Sequence, residues 1–159
     1  MGPPTSADTA ETHLSKLALT LPEAIAPVAN YLPVARTGNL LFVSGQISKS
    51  PSGTLLKGKL GVDVGIAEGQ AAAEACALNI LAQVKATVGS LDAIVRVVRL
   101  NAFVNSAPDF VDQPLVVNGA SNLFVNVLGD KGKHSRTAVG VAALPLGVAV
   151  EIDAIIEVA

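Results

Sequence analysis

The chain has 159 residues, with 11 Lys or Arg and 13 Asp or Glu, so its formal net charge is −2. This balance implies no strongly basic patch and therefore does not support binding to duplex nucleic acids. Charged residues make up only 15% and hydrophobic residues 50%, so the surface is expected to be partly buried in a homo-oligomer.

The first residues predict no targeting or membrane segment. "MGPPTSADTAETHLSKLALTLPE" lacks a basic start followed by a long apolar stretch, so no secretory signal is expected and a cytoplasmic location is predicted. No apolar run reaches the length of a membrane span. Residues 1–20 are predicted to be an N-terminal extension, partly disordered or forming a short helix, and residues 21–159 a single domain.

The first half of the domain is predicted to form two strands followed by a long helix. "NLLFVSGQIS" is an apolar strand after a "TGN" turn. Apolar residues at helical spacing predict a helix from Asp63 to Val88, with Asp63 as N-cap and Gly89 as its end. The single cysteine, Cys76, falls within this helix and is expected in the core rather than as a nucleophile.

The second half predicts a strand, a helix and two further strands. "AIVRVVRLNAFV" is rich in β-branched residues, and "SAPDF" is expected to open the second helix, with Pro108 and Asp109 in its first turn and Gly129 at its end. The apolar stripe of this helix comprises Val116, Ala120, Leu123 and Val127.

The last two predicted strands, 135–144 and 148–158, flank an "LPLG" turn and are expected to form a hairpin. The final strand alternates apolar and polar residues with period two. The order β-β-α-β-α-β-β favours an α+β sandwich, in which a mixed sheet packs two helices on one face. The other face is the predicted place for oligomer contacts.

Arg136 is a full charge in an otherwise apolar strand, "HSRTAVGVAALP". Its planar guanidinium suits a carboxylate held by two hydrogen bonds. Its same-face neighbours Ala138, Gly140 and Ala142 are small and are expected to leave room for a ligand. The alternative is a structural ion pair with Glu151 or Asp153 across the hairpin.

Two other side chains are chemical candidates. Glu151 could orient a water or shuttle a proton if partly buried near an arginine, and otherwise is a solvated charge. Tyr31, the only tyrosine, either lines a site or packs with its hydroxyl in water. His13 and His134 have no partners at metal-ligand spacing, so no metal is expected. No phosphate loop or nucleophile elbow is present.

Together these segments resemble the Rid/YjgF family of reactive-imine deaminases, also called L-PSP endoribonucleases. The resemblance rests on "RTGNLLFVSGQIS", on "SRTAVGVAALPLGVAVEIDAI" and on the order of elements between them, and covers roughly residues 24–158. It implies a chorismate-mutase-like fold and a homotrimer with three clefts between subunits, acting without a cofactor.

The resemblance also implies roles for individual residues. Arg136 is expected to hold a substrate carboxylate, Glu151 to position the attacking water and Tyr31 to line the cleft. The substrate-binding set that it implies comprises Arg136, Asn118, Gly45, Thr137 and Ala138.

Two departures from the family pattern bear on the site. Many members have a cysteine two positions after the arginine, where this chain has Ala138, which argues against a thiol mechanism. The stretch "DFVDQPLVVN" is about four residues longer than usual, close to one helical turn, so the cleft rim near Asn118 is expected to be reshaped.

The leading functional hypothesis is cofactor-independent hydrolysis of small enamines or imines of amino acids to 2-oxo acids and ammonia. Two alternatives remain: an endoribonuclease acting on single-stranded RNA, and a non-catalytic trimer that binds small carboxylate metabolites. The RNA hypothesis is weakened by the net charge of −2 and by an aromatic content of 3%, because single-strand binding relies on cations and stacking rings.

Overall fold

A computed structural model describes residues 9–26 and 29–159. The helices are α1 (Ala10–Lys16), α2 (Ile66–Val88) and α3 (Gln113–Leu128), and the strands are β1 (Val34–Thr37), β2 (Leu40–Ile47), β3 (Ile94–Asn105), β4 (Ser135–Val141) and β5 (Val150–Val158). The disorder predicted at the start of the chain falls on residues 1–8, which lie outside the described residues. The division of the chain at residue 20 therefore stays a prediction.

The strands form one mixed sheet in the order β1-β2-β5-β3-β4. All neighbours are antiparallel except β3 and β4, which are parallel. Helices α2 and α3 pack against each other and cover one face, and their apolar residues share a single buried cluster with the sheet. The predicted α+β architecture is confirmed. No helix within residues 9–26 and 29–159 has the length and apolar character needed to cross a membrane.

The alternation of β5 decides which residues enter the core. Its buried residues are Val150, Ile152, Ala154, Ile156 and Val158. The intervening Glu151, Asp153, Ile155 and Glu157 are half-buried and point to the face without helices. The period-two prediction for this strand is confirmed.

The predicted hairpin between the last two strands is wrong. The turn itself forms, since the Gly147 N–H donates to the Leu144 carbonyl at 3.0 Å. After the turn, however, the chain passes the end of β3, where the Asn105 N–H donates to the Ala149 carbonyl at 2.9 Å. Strand β5 then enters between β2 and β3, because its fully apolar inner face belongs at the centre of the sheet.

Both main helices start later than predicted. Asp63 does not cap α2, because its carboxylate accepts the Lys59 N–H at 2.6 Å in the preceding turn, and Gly65 is the N-cap. Residues 107–110 form a turn in which the Phe110 N–H donates to the Ala107 carbonyl, so α3 begins only at Gln113. The predicted ends at Gly89 and Gly129 are confirmed, as is the buried stripe of α3.

Helix α1 lies against the C-terminal end of α3. Its Ala10 and Leu14 are buried, and Nδ1 of His13 lies 2.7 Å from the Val127 carbonyl. The Ala10 N–H donates to the Asp92 carboxylate at 3.2 Å. These contacts connect the start of the described chain to the core.

We expect Gly119→Ala to destabilise the protein, because a methyl group there would overlap the Gln70 backbone where α3 crosses α2. The helices would have to separate, which should lower the free energy of unfolding by about 1–3 kcal/mol, measured by urea denaturation. Gly65→Ala is the control, because its methyl group would meet only Glu68, at 3.9 Å. Equal stability of the two variants would contradict the close-contact argument.

Candidate functional site

The predicted site residues fall into two groups on opposite faces of the sheet. Arg136 lies opposite Leu100 in the β3–β4 register, and Leu100 is fully buried under the helices. Glu151 lies opposite Phe103, on the face without helices. Strand β3 separates β4 from β5, so within one chain Arg136 and Glu151 do not share a cleft.

The Arg136 guanidinium is held by neutral oxygen atoms of α3. Its Nη1 donates to Oδ1 of Asn118 at 2.9 Å and to Oγ of Ser121 at 3.1 Å. Its Nη2 donates to the Pro114 carbonyl at 3.2 Å. Pro114 and Asn118 belong to the stretch that is longer than the family pattern, so this stretch reaches Arg136.

The predicted alternative of an ion pair for Arg136 is wrong. Within residues 9–26 and 29–159 no carboxylate lies within salt-bridge distance of its guanidinium. Glu151 is on the other face, and Asp153 instead accepts a hydrogen bond from Nδ2 of Asn101 at 2.7 Å. A guanidinium has five N–H donors, and the three bonds of Arg136 leave two donors for a ligand.

Ser121 and His134 lie at the site although no motif or spacing in the sequence indicates them. Nδ1 of His134 lies 2.6 Å from the Gly132 carbonyl, and its Nε2 lies 2.9 Å from Oγ of Ser121. The His134 ring also meets the edge of Phe124, with centroids 6.1 Å apart. Burial, followed by the charge of Arg136, lowers the pKa of His134 below its ordinary 6.5, against the raising effect of its bond to Gly132.

Glu151, Tyr31 and Gly45 line one cavity of about 570 Å³ beside the other face of the sheet. Its walls are mainly apolar and also include Ile25, Pro33, Ile47, Leu55, Pro145 and Leu146. Tyr31 is 55% and Leu146 67% exposed. Leu146 has a φ of 60°, in the left-handed region that leucine rarely adopts.

The Glu151 carboxyl group is half-buried in the wall of this cavity. It accepts no side-chain hydrogen bond from the described part of the chain, and burial, followed by the charge of Asp153, raises its pKa above the ordinary 4.5. Gly45 lies directly beneath it: a Cβ there would be 3.1 Å from Cδ of Glu151. The cavity wall therefore carries a partly desolvated carboxyl group next to the backbone of Gly45, which has no side chain.

Thr137 and Ala138 flank Arg136 but do not enlarge its pocket. The Thr137 hydroxyl accepts a hydrogen bond from Arg99 on the opposite face, and Ala138 packs against the core. The space over Gly140 is filled by Ser106 and Gln113. The prediction that small neighbours leave open space is therefore wrong at Gly140.

Cys76 is fully buried and its Sγ donates to the Val150 carbonyl at 3.4 Å. Burial, followed by the charge of Glu151, raises its pKa well above the ordinary value, which disfavours the thiolate form that a nucleophile requires. In the described ranges no three His, Cys, Asp or Glu side chains come together as a metal site.

Comparison with known proteins assigns the family. The family model "YjgF/chorismate mutase-like, putative endoribonuclease" matches residues 11–157. The chain belongs to the YjgF family. Among curated YjgF relatives, the protein TCP17 of Trypanosoma cruzi is 49% identical over 146 residues, which is 91% of each chain.

Solved YjgF-family structures share the fold. Atu1372 of Agrobacterium tumefaciens, a protein with unknown function, is 52% identical with a TM-score of 0.88, and the match covers 96% of each chain. RidA from an Antarctic Psychrobacter is 31% identical with a TM-score of 0.60, covering 86% of this chain and 94% of that one. The chorismate-mutase-like fold expected from the resemblance is confirmed.

We expect the stability of the protein to depend on the protonation of His134. Because its pKa is lowered in the folded state, the unfolded chain binds more protons at acidic pH. The contribution is present in full above pH 6.5 and is lost as the pH falls through the folded-state pKa. His134→Gln should therefore show a smaller loss of unfolding free energy between about pH 7.5 and 5 by urea denaturation.

Ser135→Ala is the control for this measurement, because it changes the neighbour of His134 and removes no titratable group. It should retain the wild-type dependence on pH. A His134→Gln variant with the same pH dependence as wild type would contradict the prediction.

Proposed function

We propose that this YjgF-family protein hydrolyses small enamines or imines of amino acids to 2-oxo acids and ammonia, without a cofactor. The site would lie in the clefts of a homotrimer, with Arg136 supplied by one subunit and Glu151, Tyr31 and Gly45 by its neighbour. Small 2-oxo acids would bind at the same place as products.

One observation carries the proposal: the half-buried Arg136 has no carboxylate partner within the described ranges. Keeping an unpaired cation partly out of water is unfavourable unless an anion binds to it and compensates for the lost hydration. Its remaining N–H donors suit the two oxygens of a carboxylate. A 2-imino acid brings such a carboxylate attached directly to the carbon that reacts.

Glu151 would supply the proton transfers. Its carboxylate accepts a proton from a water as the water oxygen attacks the imine carbon, and the C=N electron pair moves to nitrogen. The protonated Glu151 returns this proton to that nitrogen, which gives a carbinolamine. Glu151 then moves the hydroxyl proton of the carbinolamine to the amino nitrogen as the C–N bond breaks, the C=O bond forms and ammonia leaves. A carboxyl group with a raised pKa suits both directions of this transfer near neutral pH.

The geometry of one chain supports the proposal that the site is shared between subunits. Arg136 and Glu151 point to opposite faces of the sheet with β3 between them. A second copy can bring its Glu151 cavity to the Arg136 edge of the first. The low charge content of 15% and the exposed Phe42 and Val139 on the face without helices support an assembly.

We expect the purified protein to accelerate 2-oxo acid release when an amino-acid oxidase generates an imine in situ. Arg136→Ala and Glu151→Gln should each lose at least about 100-fold in kcat/KM, because each removes binding or proton transfer in the transition state. Arg36→Ala and Glu157→Gln are matched controls, since Arg36 is exposed on β1 and Glu157 shares the strand and face of Glu151.

The two inactive variants also test the shared site. When they are unfolded together in equal amounts and refolded, about one quarter of the clefts of a randomly mixed cyclic trimer should combine an intact Arg136 with an intact Glu151. Activity of about that fraction of wild type is expected, and refolding each variant alone should give none. Absence of recovery in correctly assembled mixed trimers would contradict the shared site.

We expect the pH profile of kcat/KM to reflect Glu151. Its carboxylate form is needed, and burial raises its pKa above 4.5, so activity should decline with falling pH at a higher pH than an ordinary glutamate would impose. Initial rates across the acidic range measure this, with circular dichroism confirming that the fold persists. Constant kcat/KM down to pH 4.5 would exclude Glu151 as the base.

The same variants separate the other functions that the sequence leaves open. Binding of 2-oxo acids that is lost in Arg136→Ala, with no turnover by wild type, would identify a metabolite-binding protein. Cleavage of single-stranded RNA that is lost in Glu151→Gln or Arg136→Ala would identify an endoribonuclease. Either result would overturn the imine hydrolase proposal.

A further inference from the structure

One face of α3 contacts both Arg136 and His134. Asn118, Ser121 and Phe124 are spaced three residues apart and therefore lie along one side of the helix. Asn118 and Ser121 accept hydrogen bonds from Nη1 of Arg136, while Phe124 contacts the ring of His134. His134 itself bonds to Ser121, so the ring and the guanidinium meet at one hydroxyl group.

The direction of each hydrogen bond in this chain is determined by its chemistry. The Gly132 carbonyl can only accept, so Nδ1 of His134 carries a proton. In the neutral ring Nε2 is then an acceptor, and the Ser121 hydroxyl donates to it. The oxygen of Ser121 is left to accept from Arg136, whose Nη1 can only donate.

We propose that Ser121 and His134 are positioning residues for Arg136: His134, anchored on the Gly132 carbonyl, orients the Ser121 hydroxyl so that its oxygen fixes the guanidinium in the direction of the substrate carboxylate. Arginine has a long side chain with many rotamers, and ordering it costs conformational entropy. Ordering it before the ligand arrives removes that loss from the binding step.

The charges around His134 agree with this role. Arg136 is the charged group that acts on its ring, and a neutral ring avoids placing a second cation beside it. Asp130 and Lys133, in the same loop, are exposed and pair with each other at 2.9 Å. The lowered pKa of His134 keeps the neutral form, and thus the acceptor at Nε2, populated at neutral pH.

The first experiment measures the order of the Arg136 side chain without any ligand, by ¹⁵N relaxation of the arginine Nε–H groups. The chain has four arginines, and Arg136→Lys identifies the signal. Ser121→Ala and His134→Gln should lower the order parameter of Arg136, and Ser121→Thr should restore it. Ser135→Ala is the matched control, since Ser135 neighbours Arg136 but donates to the Val98 carbonyl.

The second experiment measures the dissociation constant of 2-oxobutanoate by calorimetry, together with KM and kcat for the imine. This arm rests on the proposed function. Ser121→Ala should weaken binding and raise KM by about tenfold while changing kcat by less than about twofold, because Ser121 touches Arg136 and not the reacting atoms. Ser121→Thr and Ser135→Ala should bind like wild type.

An Arg136 order parameter in Ser121→Ala equal to that of wild type would overturn the inference, whatever the ligand does. Equal affinity of Ser121→Ala and wild type for 2-oxobutanoate would also overturn it. If wild type binds no 2-oxo acid although Arg136 is ordered, the proposed function fails, and the relaxation data still decide the role of Ser121 and His134.

Discussion

The central position of β5 is the constraint on which the site depends. A strand paired on both sides cannot slip by one residue without sending its charged residues into the core and its apolar ones to the outer face. Its alternation therefore fixes Glu151 on the face without helices. Because β3 carries this register to β4, the same pairing fixes Arg136 on the helix side.

Helix α3 serves the core and the site with different faces. Its apolar stripe, which includes Val116 and Ala120, is completely buried, and this packing holds the helix rigidly on the sheet. The adjoining face presents Asn118 and Ser121 to Arg136. The position of the Arg136 guanidinium is therefore fixed indirectly by core packing, because side chains on a well-packed helix are positioned more exactly than those on a loop.

Patterns that depend on near neighbours could be predicted from the sequence. The period of β5, the stripe of α3 and the helix ends at Gly89 and Gly129 were all predictable, because alternation, helical spacing and left-handed glycines are local properties. The partner of β4 was not, since the "LPLG" turn specifies only that the chain reverses direction. The first strand residues after a turn do not reveal which strand they will meet.

The site residues that lie in family motifs could be predicted from the sequence. Those that reach the site through contacts between distant parts of the chain could not. Arg136, Glu151 and Tyr31 stand in segments that resemble family motifs. The face of the sheet on which Arg136 lies could not be predicted, because β4 carries small residues on both of its faces and its pattern does not identify the buried one. Ser121 contacts His134 across 13 residues and Arg136 across 15 residues of the sequence, and helix periodicity gives no signal for such contacts.

The backbone conformation of Leu146 lowers the stability of the folded protein. Its left-handed backbone, with φ of 60°, costs about 1–2 kcal/mol that a glycine would avoid. Its side chain is 67% exposed in the wall of the Glu151 cavity, so burial in its own core does not compensate. Leu146 therefore places an apolar side chain in the cavity wall at a cost in backbone conformational energy, as strained residues commonly do at binding sites.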